Sequence, residues 1–188
     1  MNKNIAIFAS GRGTNAINII NQFKKSEDIH VKLLICNNQQ ADVVKAAKKL
    51  RVEVIVINNE QVNDSKFLID TLNWYNINLI TLAGFLRKLP EEFVNYFSNQ
   101  ILNIHPSLLP KYGGHGMYGD NVHKKVLENS EKESGITIHF VSNEYDKGEI
   151  IAQFKCDIEE DETLESLKEK INKLEMIYYP YVIETILI

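Results

Sequence analysis

An amide and an imidazole lie two positions apart near the middle of this sequence, at Asn103 and His105. The apolar run Ile101–Ile104 predicts a strand, and residues i and i+2 of a strand point to the same face. Pro106 keeps His105 out of helical geometry, because the residue before a proline is pushed toward extended conformations. The pattern is typical of a catalytic pair at a strand end. The same side chains could instead satisfy backbone groups where the strand turns into a loop.

A catalytic imidazole needs a partner that orients it and stabilises its protonated form. Asp146, in an Asp-Lys-Gly turn, is one candidate, and Glu144 and Glu149 flank it in the same connection. Spacing does not choose among the three, and an Asp before a Gly is also ordinary turn chemistry. No Ser or Cys stands in a nucleophile-elbow context, so covalent catalysis is not indicated.

The other histidines show no metal-binding pattern with His105. His115, His123 and His139 lack the spacing of a ligand set, so we expect no metal. His139 alternates with apolar residues in a predicted strand, and we expect it to be structural or at the surface.

A glycine turn, residues 10–15 with the sequence Ser-Gly-Arg-Gly-Thr-Asn, follows the first predicted strand and precedes a helix. Helix N-termini bind anions through free N–H groups. A dinucleotide site would need an acidic residue after the second strand, where Asn37 and Asn38 stand instead. The turn therefore favours a phosphate monoester over a dinucleotide. A tight turn without a ligand is the remaining alternative.

Apolar runs alternate with helical periodicity up to residue 105, which predicts an α/β fold with a Rossmann-like, mostly parallel sheet flanked by helices. Ligands of such sheets bind at the carboxyl ends of the strands. The remainder predicts a glycine-rich loop, an antiparallel strand pair and a long C-terminal helix that Pro180 should kink or end. We expect a single domain over residues 1–188, with a phosphate-binding half (1–105) and a second half (106–188). The predicted strands are Ile5–Ala9, His30–Cys36, Val52–Ile57, Asn78–Ala83, Ile101–Ile104, Gly135–Val141 and Glu149–Cys156.

Composition excludes several function classes. Hydrophobic residues make up 44%, charged residues 24%, and the net charge is −4, which are ordinary values for a globular domain. No run of Lys or Arg suggests a nucleic-acid partner, and no apolar stretch is long enough for a membrane span. The isolated Cys36 and Cys156 are expected to be buried thiols in a reducing compartment. The N-terminus leads directly into a strand, so we expect a cytoplasmic location.

The segment 103–110, Asn-Ile-His-Pro-Ser-Leu-Leu-Pro, followed by Asp146-x-Gly148, resembles the formyltransferases that use 10-formyltetrahydrofolate. Residues 11–15 and the Ala-Gly-Phe-Leu-Arg stretch at 83–87 are similar to the branch of that family that acts on glycinamide ribonucleotide. The resemblance runs through essentially the whole chain. Departures from the family pattern are Thr14 in place of Ser, Lys66 in place of Arg and Met176 in place of His.

The resemblance implies a formyltransferase fold and direct attack of the substrate amine on the formyl carbon, through a tetrahedral intermediate. Asn103 and His105 would bind the formyl oxygen. Asp146 would keep His105 protonated and help pass the proton of the amine to the leaving folate nitrogen.

The resemblance also implies two binding sets. Without it, Leu86 and Leu89 could be ordinary core residues, Arg87 a surface charge, and Glu175 an unremarkable residue at the edge of a helix. The substrate phosphate would contact Gly13, Thr14 and Asn15, with Gly84 offering backbone contacts and Asn172, Lys173, Leu174 and Glu175 near the glycinamide part. The folate side would comprise Lys66, Leu86, Arg87, Lys88, Leu89, Asn103, Ser142, Asn143, Glu144, Tyr145 and Asp146.

The implied partners are small molecules, 5'-phosphoribosylglycinamide and the co-substrate 10-formyltetrahydrofolate, in de novo purine biosynthesis. We expect no metal, no nucleic acid and no membrane, and a monomer or homodimer. Two alternatives remain at this point. The acceptor could be another phosphorylated amine, such as an amino-sugar nucleotide, or the chain could be a folate- or nucleotide-binding module without catalysis.

Overall fold

Strands and helices alternate along the first 105 residues of the chain, as predicted. The computed structural model describes residues 2–188. The strands are β1 (Lys3–Ala9), β2 (Ile29–Cys36), β3 (Glu53–Val56), β4 (Leu79–Leu82), β5 (Ile101–His105), β6 (Glu133–Phe140) and β7 (Ile150–Asp157). The helices are α1 (Thr14–Phe23), α2 (Asp42–Lys49), α3 (Asn59–Val62), α4 (Ser65–Trp74), α5 (Glu91–Tyr96), α6 (Asp120–Glu128) and α7 (Leu164–Leu187).

All seven strands belong to one sheet, in the order β3-β2-β1-β4-β5-β6-β7. The pairs from β3 to β5 are parallel, whereas β6 is antiparallel to both β5 and β7. Strand order reverses between β1 and β4, which makes this point a topological switch with a crevice outside the carboxyl ends of the strands. The predicted mostly parallel sheet with an antiparallel pair and a long terminal helix is confirmed.

The core lies on both faces of the sheet, and β1 shows how the sequence builds it. Ile5, Ile7 and Ala9 join one hydrophobic cluster, while Ala6 and Phe8 join the other. All five side chains are fully buried. A continuous apolar run is what a parallel strand needs when helices cover both of its faces.

Of the two effects predicted for Pro180, a kink or an end of the last helix, the end is wrong, because α7 runs from Leu164 to Leu187 with Pro180 inside it. Proline has no N–H and therefore leaves the carbonyl four residues earlier, that of Met176, without its helical partner. The side chain of Asn18 on α1 donates to this carbonyl at 2.6 Å. A contact between two distant helices thus satisfies the group that the proline leaves free, and the helix continues.

The short helix α3 was not predicted, because four residues are too few to show a hydrophobic period. It begins at a capping box in which Asn58 and Gln61 exchange hydrogen bonds. The thiols of Cys36 and Cys156 are free, the first buried and the second only partly so. Within residues 2–188, no helix combines the length and the apolar character that crossing a bilayer requires.

Candidate active site

The loop that follows β5 is held by side chains from the two antiparallel strands. The hydroxyl of Thr137 on β6 donates to Ser107 O at 2.7 Å and accepts from Leu109 N–H at 2.9 Å. The amide of Gln153 on β7 donates to Leu109 O at 2.9 Å and to the Thr137 hydroxyl at 2.8 Å. This buried network fixes the start of the loop and with it the strand end that carries Asn103 and His105.

His105 is 4% exposed, and both of its ring nitrogens face acceptors. Nε2 lies 2.7 Å from the backbone oxygen of Tyr112, which can only accept, so this nitrogen carries a hydrogen. Nδ1 lies 3.5 Å from Asp146 Oδ2. Of the three carboxylates that the sequence left open, Asp146 is the one that approaches His105.

Asp146 is held in place by the backbone of its turn and by a hydrogen bond from the glycine-rich loop. Its backbone is in the left-handed region, with φ +55°. Oδ2 accepts from Gly114 N–H at 2.8 Å. Gly148 lets the turn close, since a Cβ there would lie 1.7 Å from Phe140 O. The Asp-x-Gly pattern therefore has a geometric reason, which is close approach of the turn to the end of β6.

Asn103 contacts His139, which lies directly opposite it in the β5–β6 register. Asn103 Nδ2 and His139 Nε2 are 3.1 Å apart. His139 Nδ1 faces Phe140 O at 2.8 Å, so the hydrogen resides on Nδ1. Burial lowers the pKa of His139, partly offset by the Phe140 carbonyl and by Asp146 at 3.7 Å. The neutral ring therefore accepts one N–H of Asn103, and the other amide hydrogen remains available for a ligand.

The glycine turn leads into α1, whose first N–H groups have no partner from a side-chain cap. The first turn of this helix also contains no acidic residue. Gly13 has φ +76°, and a Cβ there would lie 2.2 Å from Val43 Cγ2, so the turn requires glycine. Uncapped N–H groups and the positive end of the helix dipole make this terminus suitable for an anion. The side chain of Asn15 points elsewhere and donates to Glu175 Oε2 at 2.9 Å.

The two segments predicted to line the folate pocket lie against each other. The ammonium of Lys88 lies 5.6 Å from the ring centre of Tyr145, and Asn143 donates to Asn95 at 2.9 Å. Leu86 is 63% exposed, whereas Leu89 is only 5% exposed and packs in the core. Loop 84–89 thus presents an apolar side chain and backbone groups toward solvent, while Leu89 anchors it.

Comparison with known proteins agrees with this geometry. The family model described as formyl transferase matches residues 3–183. The chain belongs to the formyl transferase family. It is similar to the phosphoribosylglycinamide formyltransferase of Bacillus subtilis, with 35% identity over 98% of this chain and 95% of that protein. The chloroplastic phosphoribosylglycinamide formyltransferase of Arabidopsis thaliana is 38% identical over 90% of this chain, which spans only 60% of that longer protein.

Solved structures of the same family share the fold. The phosphoribosylglycinamide formyltransferase of Anaplasma phagocytophilum superposes with a TM-score of 0.90 at 30% identity, covering 100% of this chain and 88% of that one. Glycinamide ribonucleotide transformylase 1 of Geobacillus kaustophilus gives a TM-score of 0.89 at 31% identity, covering 100% of both chains. The family fold predicted from the sequence is confirmed.

The three predicted catalytic residues lie close together in the structure, whereas not all of the predicted binding residues are connected to them. Asn103, His105 and Asp146 form one cluster through His139. Lys66 is paired with Asp70 across one helical turn, and no hydrogen bond or ion pair in the described part of the chain links it to that cluster. Other predicted contacts are exposed; they are Thr14, Gly84, Arg87, Lys88, Glu144, Tyr145, Asn172 and Lys173. Of these, Glu144 forms an ion pair with Lys147. Ser142, Asn143 and Leu174 are partly buried.

His139 is the site residue that sequence reasoning missed. We expected it to be structural or at the surface, whereas it is 2% exposed and bridges Asn103 and Asp146. The signal was its alternation with apolar residues, which places it on one face of β6. Only the pairing of β6 with β5 turns that face toward Asn103, because opposite residues of an antiparallel pair share a face.

The lowered pKa of His139 predicts a pH dependence of stability. Below about pH 6.5 the unfolded chain protonates this histidine while the folded chain resists, so the free energy of unfolding falls as the pH falls. His139→Gln is expected to reduce this slope by up to about 1.4 kcal/mol per pH unit. Urea unfolding from about pH 5 to pH 8 measures the slope. If the parent chain and His139→Gln show equal slopes below neutral pH, His139 is not held neutral in the folded state. Near pH 8 the free energies of unfolding of the two proteins are expected to vary in parallel with pH.

Proposed function

We propose that this chain transfers the formyl group of 10-formyltetrahydrofolate to the amine of 5'-phosphoribosylglycinamide, in de novo purine biosynthesis. The observation that carries the proposal is that Asn103, His105 and Asp146 converge at the carboxyl ends of the parallel strands. The uncapped N-terminus of α1 lies at the same end of the sheet. The names of the relatives, phosphoribosylglycinamide formyltransferases, agree with this acceptor.

The acceptor substrate is proposed to bind between the glycine turn and α7. The N–H groups of residues 13–15 would hold the phosphate, with the Thr14 hydroxyl as a further donor. Asn15 and Glu175 join this turn to α7, where residues 172–175 would surround the glycinamide part. A carboxylate next to an amide gives Glu175 the chemistry to hold an ammonium or a hydroxyl.

The formyl donor is proposed to bind between loop 84–89 and the connection 142–146. Leu86 would pack against the flat ring system, while backbone groups of this loop, from Gly84 to Leu89, hydrogen-bond its edge. Tyr145 and Lys88, already in contact, would close the pocket around the connecting region. Ser142, Asn143 and Glu144 would line the same side, and Lys66 or Arg87 would meet the carboxylate tail of the folate.

The reaction proposed at this cluster is direct transfer. The amine nitrogen bonds to the formyl carbon, and the negative charge that develops on the formyl oxygen is stabilised by the free N–H of Asn103 and by the positively charged His105. In this structure His105 Nε2 donates to Tyr112 O. The formyl oxygen therefore takes the place of the Tyr112 carbonyl as the acceptor when the folate binds.

Asp146 is proposed to have two tasks. Its carboxylate, 3.5 Å from His105 Nδ1, stabilises the imidazolium. The attacking amine must lose one proton, and the folate nitrogen must gain one as the carbon–nitrogen bond to the formyl group breaks. Asp146, with its side chain 12% exposed, can pass this proton through water. The steps as proposed use no metal.

We also propose that residues 1–188 act as one catalytic domain, in the cytoplasm, on these small molecules and without a nucleic-acid or membrane partner, as a monomer or homodimer. The continuous sheet supports the single domain, since β5 of the first half (1–105) pairs with β6 of the second half (106–188).

The test is formyl transfer by the purified chain, followed by the absorbance of the released tetrahydrofolate. Turnover is expected with 5'-phosphoribosylglycinamide. The dephosphorylated acceptor is expected to show a KM raised by at least about tenfold, because it lacks the charged group. Transfer to an amino-sugar nucleotide but not to the glycinamide substrate would replace the proposed acceptor. Tight folate binding without any transfer would contradict catalysis.

Glu175 provides a separate prediction. Burial raises the pKa of its carboxyl above the ordinary range, only partly offset by the hydrogen bond from Asn15. Above that raised pKa the folded state carries the cost of a buried charge. The cost declines as the pH falls through the raised pKa and is gone below the ordinary pKa of a glutamate. Glu175→Gln is expected to increase the free energy of unfolding at pH 7 and to raise the KM for the glycinamide substrate by about tenfold.

Urea unfolding and steady-state kinetics of the same preparation measure both effects. The matched control is the same substitution at a later position of α7, Glu184→Gln. It is expected to leave the KM unchanged. A lower stability of Glu175→Gln, or an unaltered KM, would show that the carboxylate is structural.

A further inference from the structure

Ser10 joins three strand ends at the switch point of the sheet. It directly follows β1, and its backbone N–H donates to Gly84 O, after β4, at 3.1 Å. Its hydroxyl donates to Asn37 Oδ1, after β2, at 2.6 Å. The same hydroxyl accepts from Leu86 N–H at 3.0 Å. One partly buried side chain therefore holds together β2, β1 and the loop that follows β4.

The groups that Ser10 connects belong to different proposed pockets. Ser10 is the first residue of the glycine turn, which leads to the proposed phosphate site, while loop 84–89 belongs to the proposed folate site. Leu86 is 63% exposed, so its side chain does little to hold the loop. The neighbouring residue Phe85 packs edge-on against Phe8, with ring centres 5.3 Å apart. The hydroxyl of Ser10 is thus the side-chain contact that adds to the backbone hydrogen bond with Gly84 and fixes the distance between the turn and the tip of the loop.

We infer that Ser10 is a positioning residue, whose hydroxyl holds loop 84–89 at a fixed distance from the phosphate-binding turn. A two-substrate transfer depends steeply on that distance, because small misplacements of the reacting atoms lower the rate strongly. The inference rests on the proposed function for the identity of the two substrates. It predicts that loss of the Ser10 hydroxyl lowers kcat by a larger factor than it weakens the binding of either substrate.

The experiment compares Ser10→Ala with Ser134→Ala. Ser134 is a buried serine whose hydroxyl has no hydrogen-bond partner among residues 2–188, whereas Ser10 is only partly buried. Ser10→Ala is expected to lower kcat by about tenfold, the loss expected from one or two hydrogen bonds. The Kd for 5-formyltetrahydrofolate alone, measured by calorimetry, is expected to change by less than about threefold. Ser134→Ala is expected to change neither.

Hydrogen exchange provides a readout that does not depend on turnover. Loop 84–89 is expected to exchange faster in Ser10→Ala than in the parent chain, because Leu86 N–H has lost its acceptor. Asn37→Ala should give a smaller effect in the same direction, and the double variant should resemble Ser10→Ala, since both act through one hydroxyl.

The outcomes separate the two claims. An inactive parent chain would overturn the proposed function and the role of Ser10 with it. An active parent chain with unchanged kcat or unchanged loop exchange in Ser10→Ala would overturn the role of Ser10 alone. A large loss of folate affinity with unchanged kcat would make Ser10 a folate-binding determinant rather than a positioning residue, and would also overturn the inference.

Discussion

Replacing Asp146 with asparagine is expected to lower kcat by about three orders of magnitude while leaving the fold intact. Asparagine keeps the size of the side chain and can still accept the hydrogen bond from Gly114 N–H. It removes the negative charge 3.5 Å from His105 Nδ1, so the imidazolium loses its stabilising partner. It also removes the group proposed to pass the proton of the amine to the leaving nitrogen.

Steady-state kinetics with both substrates saturating measures this loss, and a thermal unfolding curve reports the fold. Asp28→Asn, at an exposed position before β2, is the matched control and is expected to retain full activity. Asp146→Asn with near-normal kcat would contradict both proposed tasks of the carboxylate. A large fall in the thermal midpoint would instead assign Asp146 a structural part in its turn.

Replacing His105 with alanine is expected to lower kcat by about three orders of magnitude as well, because the transition state loses its positively charged neighbour. Asn103→Ala removes an uncharged donor and is expected to cost about two orders of magnitude. Since both side chains act on one oxygen, the double variant should lose less than the product of the single losses.

The matched control for this series is His30→Ala. His30 lies near the start of β2, at the amino ends of the parallel strands and therefore at the end of the sheet away from the proposed site. It is expected to leave kcat unchanged. Strictly multiplicative losses in the double variant would indicate that Asn103 and His105 act on different atoms. Near-normal turnover of His105→Ala would exclude the imidazole from the chemistry.

The strands and most helices could be predicted from local patterns, since burial on two faces demands continuous apolar strands such as β1. The chain beyond residue 105 was harder. The antiparallel pair was expected, but its attachment to β5 was not, because strand order depends on contacts that no local pattern encodes. Pro180 shows the same limit. Its propensity to end a helix is real, but Asn18 offsets it from another element.

For the site, sequence determined the chemistry and the family. Asn103, His105 and the Asp-x-Gly turn could be identified from their residue types and their spacing. The family model matches residues 3–183. Spacing did not choose Asp146 over Glu144 and Glu149, whereas the family resemblance did. The tertiary structure shows how the turn directs Asp146 toward His105.

Tertiary structure alone showed that His139 contacts Asn103 and Asp146, and that the hydroxyl of Ser10 contacts Asn37 and Leu86. His139 stands in no catalytic motif, and the glycine turn that contains Ser10 does not reveal these contacts, because they are made with neighbours on other strands. His139 gains its place through the register opposite Asn103, and Ser10 through two loops that close over the end of β1. The Asn103-Ile104-His105 strand end thus carries an amide and an imidazole that the sequence supplies, in an orientation that only strand pairing and buried hydrogen bonds decide.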